Sequence, residues 1–255
     1  MNAKKSTLMA GMFTGAILTF AARRLYDQRS RERIPSVEGI DNEQVMGAFS
    51  RISSFPQMAL MRKMVLKRAL NLCSQGHALD LGCGPGYLVA ELAQGSVDLF
   101  VTGIDLSEEA LKEARQRTDL ALFGARVDLR PGDAAEIPLP DNTIDLVVST
   151  LSLHHWNSPI DVFNEIRRVL RPGGSYLIFD LRRDMAAPYW LLIWFATNIV
   201  VPRALKQINE PMASRDAAYT PAEALRLVST SKLTGWQVDS GPIWLFIEGS
   251  LKPNC

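Results

Sequence analysis

Cysteine and histidine are scarce. Three cysteines (Cys73, Cys83, Cys255) and three histidines (His77, His154, His155) stand among 255 residues. No cysteine spacing makes a zinc pair or a disulfide framework, and three imidazoles leave little for a metal cluster, so no metal site is expected. Reduced thiols in a cytosol-facing domain fit that usage. An excess of charge is missing too: 28 Lys and Arg face 27 Asp and Glu. This removes the general electrostatic argument for nucleic acid as the main partner. No internal repeat or low-complexity tract interrupts the chain. What is plentiful is apolar side chain, 47% of residues, enough for a sizeable core.

Two long stretches also lack charge. Residues 6–22 carry none and include Leu8, Met9, Met12, Phe13, Ile17, Leu18 and Phe20. They are preceded by Lys4 and Lys5 and followed by Arg23 and Arg24. Such a run lies at the short end of the roughly 17–25 residues that cross a bilayer. Residues 1–25 are therefore expected to be a hydrophobic membrane anchor, with a cleaved signal peptide and a core segment as rival readings. The arginines that follow favour a cytoplasmic catalytic domain. The second stretch, 185–202, holds Tyr189, Trp190, Trp194 and Phe195 among aliphatic residues. It falls between two strands of one expected sheet, so a single crossing would split that sheet across the membrane. It reads instead as part of a helical insertion, about 183–219, lying over a substrate mouth or dipping into the interface.

Between these stretches the patterning alternates. Residues 26–41 read as a charged linker and 42–255 as the main domain. Helices are expected over about 42–52 and, after Pro56, up to residue 73. Strands are expected at 77–81, 99–105, 125–130, 144–150 and 175–180, with helices between them. Residues 159–170 read as a helix stopped by Arg171-Pro172-Gly173-Gly174. Thr220-Pro221 opens a helix to about residue 232. Strands at about 235–239 and 243–249 are separated only by Ser240-Gly241-Pro242, a link too short for a parallel crossover. The pattern predicts an α/β fold: a doubly wound, mostly parallel, seven-stranded, Rossmann-like sheet with a C-terminal antiparallel hairpin.

The chemistry concentrates at Asp80-Leu81-Gly82-Cys83-Gly84-Pro85-Gly86-Tyr87. Glycines at a strand-to-helix turn let backbone approach a ligand closely, and the following helix presents unpaired N–H groups. Asp105 ends the next strand, 21 residues after Gly84 (105 − 84). An acidic side chain there can accept from both hydroxyls of a ribose. The dinucleotide fingerprint places its third glycine where this chain has Tyr87, and a bulky ring would hinder helix–strand packing there.

Gly82-x-Gly84-x-Gly86 resembles motif one of the class I S-adenosylmethionine-dependent methyltransferases. The similarity extends through Gly132-Asp133-Ala134, Ile137-Pro138-Leu139-Pro140-Asp141, Leu153-His154-His155-Trp156 and the run from Glu165 to Gly174. It covers about residues 42–250 and looks like the group of quinone-biosynthesis C-methyltransferases and small-molecule methyltransferases. The resemblance implies S-adenosyl-L-methionine as cofactor. It places Asp80 and the backbone of Gly82, Gly84 and Gly86 against the methionine part. Asp105 would take the ribose and Leu106 the adenine face. Asp133 would take the adenine amino group with Ala134 beside it, and Ser149 would lie near the methyl end. His154 and His155 are the candidate bases, with a pocket-shaping or strand-capping role as the rival reading. Trp156 is expected to pack. The expected acceptor is a small or lipid-like molecule met at a membrane. A cofactor-binding protein without turnover and a nicotinamide-dependent reductase are the competing functions.

Overall fold

The structure, a computed structural model, describes residues 32–35, 43–118 and 123–253. The expected anchor at 1–25 and most of the expected linker lie outside those residues.

Seven strands form one sheet: β1 (Gly76–Leu81), β2 (Leu99–Asp105), β3 (Val127–Pro131), β4 (Ile144–Thr150), β5 (Leu170–Leu181), β6 (Trp236–Ser240) and β7 (Trp244–Ser250). Their order is β3-β2-β1-β4-β5-β7-β6. β1 to β5 run parallel, and β7 pairs antiparallel with both β5 and β6. The chain winds outward from β1 in one direction and then from β4 in the other. The crevice between β1 and β4, at their carboxyl ends, is therefore the place this topology offers a ligand.

Strand side chains alternate between two cores, as period-two geometry demands. Leu79, Val147, Ile178 and Ile247 face one. Ala78, Val148, Leu177 and Phe246 face the other. The first core is covered by α5 (Pro159–Val169) and α9 (Pro221–Thr230) through Phe163, Ile166 and Val228. The second is covered by α2 (Pro56–Leu72), α3 (Tyr87–Gly95) and α4 (Glu108–Arg117) through Val65, Leu92 and Leu111. Local signals explain the helix ends. Ser107 accepts from Ala110 N, with Glu108 and Glu109 in the first turn of α4. Thr220 and Glu223 form a capping box on α9. Trp156 is buried, edge-on to Phe163 at 5.8 Å, as expected of a packing residue.

Two boundaries differ from the sequence reading. Arg171–Gly174 follow the end of a helix, as expected, but they already belong to the next strand. α5 ends at Val169, and β5 begins at once, because Leu170 already pairs with Ile144 before a register shift. Gly173 accommodates that irregularity at φ 82°. The third strand starts at residue 127 because Gly124–Arg126 form a 3₁₀ turn.

The insertion is helical throughout: α6 (Ala187–Phe195), a π turn (Ala196–Val200), α7 (Arg203–Gln207) and α8 (Met212–Ala217). α1 (Glu43–Ser53) packs Val45 and Ala48 against Val201 and Leu205. Trp190 is buried with Met185 and Met212, whereas Leu191, Leu192, Trp194, Phe195, Ile199 and Val200 remain exposed. Arg183 fastens the two ends of the insertion. Its guanidinium donates to Ala218 O at 2.5 Å and to Glu223 Oε1 at 2.6 Å.

Residues 32–35 do not hang free as a linker would. Ile34 N donates to Asp216 O at 3.1 Å. Arg33 donates to Ala217 O at 2.7 Å and to His154 O at 3.1 Å, and lies 4.2 Å from the centre of the Tyr219 ring. The chain is clipped here to the insertion and to the turn after β4 at once.

Candidate active site

β1 ends on Asp80-Leu81, and the glycine turn after it uses positive φ at Gly82 (75°), Gly84 (51°) and Gly86 (76°). Two of these glycines are needed by the fold. A Cβ at Gly82 would come within 2.4 Å of Ser152 Oγ, and one at Gly86 within 2.9 Å of the Ala114 backbone. Gly84 is different: a Cβ there would meet nothing within 4 Å. The middle of the turn therefore presents bare backbone to open space, the condition for close ligand approach. Asp105 shapes that turn, accepting from Gly84 N at 2.7 Å through Oδ2 and from Ser107 N at 2.9 Å through Oδ1. Each oxygen keeps a further lone pair for a hydroxyl donor. Burial pushes the Asp105 carboxyl upward, against the pull of its backbone donors.

Tyr87 occupies the position that excluded the dinucleotide pattern. Its ring lies between the Arg62 and Arg117 guanidinium groups, at 4.5 and 3.6 Å from the centroid, and its hydroxyl donates to Ser50 O at 3.2 Å. The residue thereby ties α1 to the turn.

Asp80 is 2% exposed, and its Oδ2 has no hydrogen-bond partner. Burial, with Asp105 and Glu91 nearby, pushes its carboxyl up to about 8. Thr150 Oγ1 at the end of β4 and His154 Nε2 just beyond it are also buried without a partner. Native interiors leave few polar atoms in that state. Three at the carboxyl edge of β1 and β4 mark where a polar ligand would complete the site. A buried carboxyl without a partner on Oδ2, beside a turn that carries no side chain at Gly84, suits the ammonium end of a ligand.

The remaining expected residues fall around this edge. Leu106 is 60% exposed beyond β2, offering an apolar face. Asp133 accepts from Ala135 N at 2.8 Å, on the loop that Gly132 N joins to Asp105 O at 3.1 Å. Ala134 packs on the margin of the core. Ser149 is fully buried, and its Oγ donates to Leu81 O at 2.6 Å, so it holds β4 against the start of the glycine turn.

The two histidines separate. His154 Nδ1 lies 2.7 Å from Asp180 Oδ1, and its backbone N donates to Oδ2 at 2.8 Å. Burial, with His154 alongside, holds the His155 imidazole down to about 3, too low for a general base near neutrality. Sequence reading missed Asp180. Its signal is a lone carboxylate ending an otherwise apolar strand, Tyr176-Leu177-Ile178-Phe179-Asp180.

Residues 79–178, from β1 through the middle of β5, match the family described as Methyltransferase domain. The chain carries an S-adenosylmethionine-dependent methyltransferase domain. This domain is 33% identical over 135 residues to a demethylmenaquinone methyltransferase of Lactiplantibacillus plantarum, covering 51% of this chain and 56% of that protein. It is 35% identical over 113 residues to a fatty-acid O-methyltransferase of Mycolicibacterium smegmatis, covering 44% and 39%. The chain thus spans roughly half or less of the length of these relatives. Its fold is that of phosphoethanolamine N-methyltransferase 2 from Haemonchus contortus, solved with S-adenosyl-L-methionine (TM-score 0.64, 18% identity, over 84% of this chain and 58% of that one).

Proposed function

We propose that the protein transfers a methyl group from S-adenosylmethionine to a small, apolar or lipid-like acceptor at a membrane, with its catalytic domain on the cytoplasmic side. The observation that carries the cofactor assignment is the glycine turn: open backbone at Gly84, flanked by the Asp105 carboxylate and by the partnerless Asp80. Asp80 and the turn would hold the methionine part, Asp105 the ribose, and Leu106, Asp133 and Ala134 the adenine. The cofactor supplies an already activated methyl group, so much of the protein's task is to position the acceptor in line and exclude water. Asp105→Ala should weaken cofactor binding by about 1–3 kcal/mol in a folded protein. Calorimetry showing unchanged affinity would remove Asp105 from the site. The same assay separates the rivals: nicotinamide binding would favour a reductase, and cofactor binding without transfer to any acceptor a protein that has lost turnover.

The acceptor and the membrane rest on different support. The relatives' names include a menaquinone precursor and a fatty acid. No helix among the described residues is long and apolar enough to cross a membrane. α6 is apolar all round yet buries chiefly Trp190, leaving Leu191, Leu192, Trp194 and Phe195 outward, a composition suited to an interface. The apolar run 6–22 supplies a second point of attachment. Removing residues 1–25 should shift the protein from the membrane to the soluble fraction. Leu192→Ser with Trp194→Ser should then impair methylation of apolar acceptors while sparing polar ones. A full-length protein that is soluble without detergent and prefers polar acceptors would defeat this reading.

A further inference from the structure

His154 is 2% exposed, yet it carries one fixed nitrogen and one vacant one. Nδ1 stands 2.7 and 3.0 Å from the two oxygens of Asp180. Those oxygens also accept from the backbone N–H groups of Leu181, at 2.7 Å, and of His154 itself, at 2.8 Å. A carboxylate taking that many donors is an acceptor, so the hydrogen of the His154–Asp180 contact sits on Nδ1. Nε2 is then left as a bare lone pair, buried and without a protein partner. Leaving such an atom unmatched is costly unless a ligand supplies the donor. The turn that bears it is joined to the cofactor end of the sheet, because Ser152 Oγ donates to Gly82 O at 3.3 Å.

We propose that His154 is the proton acceptor of the reaction, that Asp180 is its positioning residue, and that the methyl acceptor carries a phenol- or enol-type hydroxyl. The proposal rests on the methyltransferase reading above. The hydroxyl hydrogen passes to Nε2. The electron pair so released, on oxygen or on a conjugated carbon, forms the bond to the methyl carbon. The carbon–sulfur pair stays on sulfur. One sulfonium charge is lost as one imidazolium charge appears, so the step balances, and the imidazolium later returns its proton to water. Carbon methylation also releases the ring or enol hydrogen to solvent as a second proton is regained by oxygen, leaving the net change one proton.

The substrate class follows from what a base is for. A carboxylate is already ionised at neutral pH and needs none, and an alkyl ammonium, though it too must lose a proton, would bring a second positive charge against the sulfonium. A phenolic hydroxyl ionises near pH 10 and needs one. The groups that face His154 agree with a proton arriving there. Asp180 from β5 stabilises the imidazolium, and His155 on the same turn stays uncharged. Glu210 from the insertion lies near enough to interact with it, while Arg33 meets only its carbonyl oxygen. α8 packs over this turn, so the acceptor reaches Nε2 from beneath the insertion.

The test begins without cofactor or acceptor. Full-length protein labelled with ¹⁵N-histidine is titrated from pH 5.5 to 9 by long-range ¹H–¹⁵N correlation, and the His154 signals are assigned by their loss in His154→Gln. Above the titration, wild type should show a protonated Nδ1 and a bare Nε2. Asp180→Asn, whose amide can donate to Nδ1, should move the proton to Nε2. A proton on Nε2 in wild type, or an unchanged tautomer in Asp180→Asn, would overturn the proposal. Labelled cofactor and a lipid and metabolite extract then give the second readout. Both variants should lower product formation by about 10²-fold or more with cofactor affinity within about twofold. The labelled products should be hydroxyl-derived ethers or ring-methylated phenols or enols. Near-normal turnover by His154→Gln, or labelled amines and esters as products, would refute it. If instead wild type binds no cofactor while the tautomer is as expected, the methyltransferase reading has failed and the dyad has not.

Discussion

Asp80→Asn is expected to weaken cofactor binding about 10- to 150-fold while making the free protein more stable at alkaline pH. A charge-assisted hydrogen bond contributes about 1.5–3 kcal/mol, which sets the first figure. The second follows from the carboxyl's place in the fold, buried beside Asp105 and Glu91 and held up to about 8. Between about pH 4 and pH 8 the folded protein keeps a proton that the unfolded chain has lost. Stability from this group is thus fully present below pH 4 and is lost as pH rises toward 8. Asparagine removes that loss, so thermal unfolding of the variant should change less across this window. A cationic ligand reverses the preference and favours the carboxylate. Below pH 8, cofactor binding to wild type should release about one proton, and binding to the variant none. Calorimetry in two buffers of different ionisation enthalpy measures this directly. Equal proton release in both proteins would show that Asp80 does not meet the cofactor's charge.

Arg183→Ala should lower stability by about 3 kcal/mol, because it leaves Ala218 O and the Glu223 carboxylate without the guanidinium between them. For a chain of this size that corresponds to a fall of roughly 10 °C in melting temperature. Arg183→Lys should recover only part of it, since one ammonium cannot reproduce the two-pronged geometry. The change should also loosen the insertion, whose ends Arg183 joins. Amide exchange in 185–217 should rise more than in β1–β4. A melting temperature within 2–3 °C of wild type would mean the pair is replaced by water at little cost.

The parallel core was legible because its signals are local and redundant. β2 and β4 fall where their apolar runs end at Asp105 and Thr150, and Ser107 and Thr220 announce the helices they cap. The glycine turn was legible for the same reason, since its residue types carry their own backbone demands. What was not legible depends on partners distant in sequence. Arg171–Gly174 has the composition of a stop, but pairing with β4 draws Leu170 into the strand. Asp180 acquires a role only by meeting His154, 26 residues away, and Arg33 only by meeting His154 and Ala217. Ser149 was readable as an edge residue, but not as a donor to Leu81 O, which needs the β1–β4 register.

Were residues 6–22 to enter a bilayer, as proposed, the Arg33 clip would set the length of a leash. Eleven residue-to-residue steps lead from Ala22, the end of the uncharged run, to Arg33 (33 − 22). Fully extended, they reach at most about 40 Å. A domain held in a bilayer by residues 6–22 could therefore neither drift far from its surface nor turn freely upon it. The leash is fixed at His154, on the turn after β4, and at Ala217, on the same insertion that carries the outward apolar residues of α6. Shortening it would bring that face down, and lengthening it with a flexible spacer would dilute the face's local concentration at the lipid without touching the cofactor site. A series of linker lengths between residues 23 and 31 thus converts one arginine's contacts into a ruler for where the enzyme works.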